Sequence, residues 1–167
     1  MTGALTAWRY VSSIDLIDVD GLVRSGVSCV LFDRDNTCVP RDATTAPPKV
    51  VAWFDRVRAA GLSACMVSNN IHSAAVERSA RELGTQVVHH AMKPLPFAVW
   101  RALALMGATR EQAVLVGDQV YTDVLAGHLA GVRTILVRPQ SAEDLWYTKV
   151  LRRLERHVIG DRDFEGE

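Results

Sequence analysis

No apolar run in the 167-residue sequence approaches the roughly 20 residues that a membrane-spanning helix needs. Cysteine is scarce: Cys29, Cys38 and Cys65 are odd in number and lack metal-type spacing. A disulfide framework and a thiolate zinc site are both excluded on that count. Cys29 and Cys65 fall in strand-like apolar runs and read as small core residues. Charge of either sign is not in excess, since 19 Lys and Arg balance 19 Asp and Glu. Nothing in that balance calls for a nucleic-acid partner. Residues 1–10 lack a basic start followed by an apolar stretch, so no secretory signal is expected and a cytoplasmic location is the default. Internal repeats, low-complexity segments and linkers are also missing. What remains is 49% apolar and 23% charged, an ordinary balance for one domain over residues 1–167 with a sizeable core.

The most informative stretch is Val30-Leu31-Phe32-Asp33-Arg34-Asp35-Asn36-Thr37. A short apolar run ending in carboxylates reads as a buried strand with its charges where it leaves the sheet. Residues i and i+2 of an extended segment point the same way, so Asp33 and Asp35 can face one bound group. Taken alone, such residues are also ordinary turn formers. Read chemically, the pair suits phosphoryl transfer through an aspartyl intermediate. Asp33 would be the nucleophile and Asp35 the acid and then the base. A carboxylate approaching a phosphate dianion needs a counter-charge, and Mg²⁺ suits an oxygen-only site that also holds phosphate. Thr37 can orient the loop through its hydroxyl.

The rest of the chain alternates strand and helix. Strands are expected at about 27–33, 62–67, 86–89, 113–116 and 133–137. Helices are expected at about 18–26, 48–60, 73–83, after Lys93 to about 106, 122–130 and 143–158. Thr109 and Gln112 have the spacing of a capping box on a very short helix. This order predicts an α/β fold: a parallel sheet of about five strands, helices on both faces and right-handed crossovers. Ligands of such sheets lie beyond the carboxyl ends of the strands. Collected there are Asp33 and Asp35, then Ser68-Asn69, then Lys93, then Gly117-Asp118 with Asp123. Ser68, Asn69 and nearby N–H groups can hold phosphate oxygens, and Lys93 supplies positive charge. Asp118 can ligate the cation, and Asp123 can hold it directly or through water.

This ordered set, over about residues 27–138, resembles the haloacid dehalogenase (HAD) superfamily of phosphatases. The resemblance implies a Rossmann-like core. It makes Asp33 the nucleophile and Asp35 the general acid/base, whose backbone carbonyl also binds the metal. Thr37, Ser68, Asn69 and Lys93 become the phosphate-binding set, and Asp118 and Asp123 the acidic fourth motif. Asp at position 35 favours a phosphatase over the superfamily's dehalogenases and P-type pumps. Val67-Ser68-Asn69-Asn70, Lys93-Pro94, Gly117-Asp118-Gln119 with Thr122-Asp123-Val124, and Thr134-Ile135-Leu136-Val137 further resemble the YqeG-type branch, subfamily IIIA. That branch includes phosphatidylglycerophosphate phosphatases. Cys38 stands where a leucine is usual in the branch, and a thiol there raises the prospect of oxidation-sensitive activity.

Only 30 positions (38–67) separate Thr37 from Ser68, and 24 (69–92) separate Ser68 from Lys93. Neither gap has room for a cap domain, so an open site is expected unless oligomerisation covers it. An open site suits a phosphate carried on something large, and phosphatidylglycerophosphate or a related lipid phosphate is the leading expectation. Two alternatives stand beside it: a phosphatase of a soluble sugar phosphate, nucleotide or phosphoprotein, and a binding or assembly protein that keeps the fold without turnover. In the last helix Trp146, Val150 and Leu154 are spaced by four among Lys149, Arg152, Arg153 and Arg156. Such a helix can lie on the inner face of an anionic membrane. Its commoner fate is to pack the apolar stripe on the sheet. His72, His89 and His90 fall near strand ends, where one can line the site. Trp53 and Trp100 read as packing residues.

Overall fold

The computed structural model describes residues 3–143 and 146–167. Six strands form one parallel sheet: β1 (Arg9–Val11), β2 (Cys29–Phe32), β3 (Ser63–Val67), β4 (Gln86–Val88), β5 (Ala113–Gly117) and β6 (Arg133–Val137). Their order is β1-β6-β5-β2-β3-β4. The sheet therefore has one strand more than the sequence suggested. β1 lies in the opening segment and pairs with the edge of β6 over three residues. So short an element has no periodicity of its own; it is a strand because β6 offers a free edge.

The remaining elements are α1 (Val19–Arg24), α2 (Pro48–Ala59), α3 (Ser73–Leu83), α4 (Phe97–Met106), α5 (Leu125–Ala130) and α6 (Trp146–Ile159). Pro48 opens α2 where its missing N–H costs nothing. Gly84 and Gly107 close α3 and α4 in the left-handed conformation. The Thr109–Gln112 capping box is present on a 3₁₀ turn at Arg110–Gln112. The helix expected from Thr122 is divided into a π turn over Val120–Val124 and the shorter α5. Residues 144 and 145, within the predicted start of the last helix, lie outside the described residues.

Alternation along the strands separates two cores. Val30, Phe32, Met66, Val114 and Val116 face α1, α2 and α3, where Trp53 and Phe54 are fully buried. Leu31, Cys65, Val67 and Leu115 face α4 and α5. Helices thus cover both faces. Trp53 donates its indole N–H to the Ile17 carbonyl at 2.9 Å. Truncating it to Ala would cost about 3–5 kcal/mol. Trp100 is partly exposed and bonds the Ala130 carbonyl. Residues 38–67 are used by a loop, α2 and β3, and residues 69–92 by α3 and β4, so no domain is inserted in either gap. Among the described residues no helix is long and apolar enough to cross a membrane.

Candidate active site

The chain leaves β2 toward β3 on one side and returns through β5 on the other. The point where the order reverses is where ligands gather in open parallel sheets. Asp33 follows β2, and Asp118 and Asp123 follow β5. One carboxylate oxygen from each lies within 4.8 Å of the others. All three residues are buried. Lys93, after β4, reaches in with its ammonium 2.6 Å from Asp123 Oδ1 and 3.1 Å from Asp33 Oδ1. Its side chain is 1% exposed.

The local folds explain these positions. The π turn presents the Asp123 carboxylate to Lys93 and to the Gln119 N–H. Such turns recur at functional sites. Gly117 makes room for it: a Cβ there would stand 2.2 Å from Asp123 Cγ. Asn69 holds the lysine loop, accepting the Lys93 N–H at 2.8 Å and donating to the Lys93 carbonyl at 3.1 Å. Thr37 donates its hydroxyl to Asp118 Oδ1 at 3.1 Å. Asn69 and Thr37, expected to bind phosphate, are thus engaged in positioning Lys93 and Asp118. Ser68 is fully buried and accepts the Asn70 N–H through Oγ, so its own O–H stays a donor.

The Asp35 carboxylate is not in the three-carboxylate cluster. Arg34 Nη1 contacts it at 2.6 Å and Asn70 Nδ2 at 3.0 Å. It lines an open cavity of about 400 Å³ with Arg41, Asn70, Ile71, His72 and Tyr147. Of the three histidines near strand ends, His72 is the one that lines this mouth. His89 instead faces Glu77, and His90 faces Ser73.

Sequence reasoning missed four contributors. Arg34 and Asn70 hold Asp35. Arg152, from α6, donates to the Asp118 carboxylate at 2.5 Å and to its carbonyl at 2.6 Å. Glu155 is buried and accepts the Val120 N–H at 2.7 Å. The signal for the last two was the i, i+3 spacing of opposite charges on one helix. It could have marked the inward face.

Burial pushes the Asp33 carboxyl up to about 8. The Asp123, Asp118 and Asp35 charges add to this and Lys93 opposes it. Burial and then Asp123 push Asp118 up to about 6, against Arg152. Burial alone would lower Lys93, but Asp123 and Asp33 leave it raised and charged. Three buried carboxylates facing the Lys93 ammonium and the Arg152 guanidinium are still one positive charge short. That deficit and the all-oxygen donor set fit a hard divalent cation held by Asp33, Asp118 and Asp123. Cys38 is fully buried beside this centre, and burial holds its thiol well above the usual range. Oxidation needs an accessible thiolate, so the structure argues against the sensitivity that its sequence position suggested.

The order of carboxylates, lysine and strands defines a class of protein. Residues 90–159 match the family described as "HAD-hyrolase-like". The chain is 34% identical to "Probable phosphatase YqeG" of Bacillus subtilis over 90% of this chain and 87% of that protein. It is 29% identical to phosphatidylglycerophosphate phosphatase 1 of Arabidopsis thaliana, over 90% of this chain but only 46% of that longer protein. The fold is shared with the cobalt-bound deoxy-D-mannose-octulosonate 8-phosphate phosphatase YrbI of Haemophilus influenzae (TM-score 0.55, 14% identity, 81% of this chain and 88% of that one). The protein belongs to the YqeG-type phosphatases of the haloacid dehalogenase superfamily.

Proposed function

We propose that the protein is a divalent-cation-dependent phosphomonoesterase that works through an aspartyl-phosphate on Asp33, with phosphatidylglycerophosphate or a related lipid phosphate as substrate. The observation that carries this reading is the buried cluster of Asp33, Asp118 and Asp123 with Lys93 bridging two of them. A cation in that cluster, Mg²⁺ by its oxygen donors, would supply charge for the phosphate and hold Asp33 ionised. Asp33 Oδ then attacks phosphorus while the bond to the substrate oxygen breaks. Asp35 gives its proton to that leaving oxygen. Lys93 and the Ser68 hydroxyl meet the charge on the phosphoryl oxygens. A water next attacks phosphorus, Asp35 takes its proton, and the Asp33–phosphorus bond breaks. The free Asp33 carboxylate and inorganic phosphate result, with Asp35 protonated again.

The lipid assignment draws on the absence of an inserted domain, which leaves the cavity at Asp35 open, and on likeness to phosphatidylglycerophosphate phosphatases. It is tested by phosphate release from phosphatidylglycerophosphate in mixed micelles beside a panel of soluble esters, with Mg²⁺ and with chelator. Mg²⁺-dependent turnover of the lipid supports it. Turnover of soluble esters alone retains the chemistry and sinks the lipid substrate.

A further inference from the structure

α6 is amphipathic in the reverse of the usual sense. Its inward face is mixed: Thr148 and Glu155 are buried and Arg152 reaches the Asp118 carboxylate. Val158 and Ile159 pack on the cluster of Val120, Val124, Leu136 and Phe164. The expected packing of the Trp146, Val150 and Leu154 stripe on the sheet does not occur. These side chains point outward, 77%, 55% and 51% exposed. Apart from the edge contact of Trp146 with Tyr147, that stripe has no partner among the described residues.

Position and charge indicate the partner. Tyr147, in the first turn of α6, lines the same cavity as Asp35 and Ile71. Trp146, Ile71 and Met92 are the three most exposed large apolar side chains among the described residues. Ile71 follows β3 and Met92 precedes Lys93, so all three lie on the carboxyl edge of the sheet, around the catalytic mouth. The only acid in α6 is the buried Glu155. Lys149, Arg153 and Arg156 flank the apolar stripe. With Arg138 they line a cavity of about 610 Å³ between α6 and the end of β6. In a chain of zero net charge, cations have been gathered beside exposed tryptophan, valine and leucine. An aromatic and aliphatic stripe edged by lysine and arginine complements one surface in particular, apolar below and anionic at its headgroups.

We infer that the outward face of α6, with Ile71 and Met92, docks on an anionic lipid bilayer and presents the mouth at Asp35 to the headgroup plane. The inference rests on the reading of a lipid-borne phosphate and deepens it. The bilayer positions the site over its substrate, and no cap domain is needed to collect it.

The test is sedimentation of the full chain with vesicles of phosphatidylglycerol and phosphatidylcholine, or of phosphatidylcholine alone. It compares wild type with a Trp146→Gln, Val150→Gln, Leu154→Gln variant. Turnover of a water-soluble phosphate ester is followed in parallel to show that the variant folds. Wild type is expected to sediment with the anionic vesicles, at least tenfold less in 0.5 M salt or without the anionic lipid. The variant is expected to bind at least tenfold more weakly at unchanged turnover of the soluble ester. Equal binding by the variant, or no binding by wild type, overturns the inference. So does a dimer of the wild type that the variant breaks without vesicle binding, which would assign the face to a second copy of the chain. Vesicle binding without hydrolysis of any lipid phosphate supports docking and removes the substrate reading. Hydrolysis in micelles without vesicle binding does the reverse.

Discussion

Asp33→Asn should make the cation-free protein more stable while abolishing turnover. Asp33 is buried with two other carboxylates, and its carboxyl rises from the ordinary 3.8 to about 8 in the folded state. A carboxyl raised on folding binds more protons in the native than in the unfolded chain. Stability therefore falls as pH rises between about 4 and 8. The full shift sets a ceiling on the order of 5 kcal/mol at pH 8. Asn retains a buried amide and forfeits the Lys93 contact, so we expect a net gain of about 2 kcal/mol. For a chain of this size that raises the melting temperature by about 4–8 °C. The assay is thermal unfolding in chelator at pH 8 and pH 5. The gap should be largest at pH 8 and shrink toward pH 5, where Asp33 of the wild type is protonated. Mg²⁺ at pH 8 should then stabilise wild type more than the variant, because it binds the ionised cluster. An Asp33→Asn protein that melts no higher than wild type in chelator at pH 8, or a gap indifferent to pH, would refute the electrostatic account.

Other consequences follow from single contacts. Gly117→Ala drives a methyl into the Asp123 side chain and should cost at least about 2 kcal/mol of stability and most of the activity, read by melting and phosphate release. Asn69→Ala removes both side-chain bonds to the Lys93 backbone and should lower kcat about tenfold while costing about 1–2 kcal/mol, measured by steady-state kinetics and denaturant unfolding. Arg152→Met leaves the buried Asp118 carboxylate without its cation and should lower the melting temperature in chelator; Mg²⁺ should restore part of that loss. Cys38 should resist alkylation in the native protein and react only on unfolding, as followed by mass spectrometry.

The sheet and its motif order were legible because both rest on local signals. Apolar runs end abruptly in Asp33, Ser68 and Asp118, and strands alternate with helices of the expected spacing. β1 escaped notice because three residues at an edge carry no period; its pairing comes from β6. The division of labour among polar residues was also out of reach. Asn69 and Thr37 could equally have met phosphate, and only the fold turns them to Lys93 and Asp118. α6 misled for a physical reason. Its apolar spacing is genuine, but Arg152 and Glu155 are the residues that turn inward, to Asp118 and the Val120 N–H. Contacts made across 34 and 35 residues of chain leave only the i, i+3 spacing of Arg152 and Glu155 as a local trace.

The central claim is covalent catalysis at Asp33. Its most direct test is a rapid acid quench of the wild-type protein during turnover of phosphatidylglycerophosphate labelled in its terminal phosphate, in Mg²⁺. The account predicts label on the chain, released by hydroxylamine as an acyl phosphate and mapped to Asp33. An unlabelled chain that still turns over, or an Asp33→Asn protein with wild-type turnover, would contradict it.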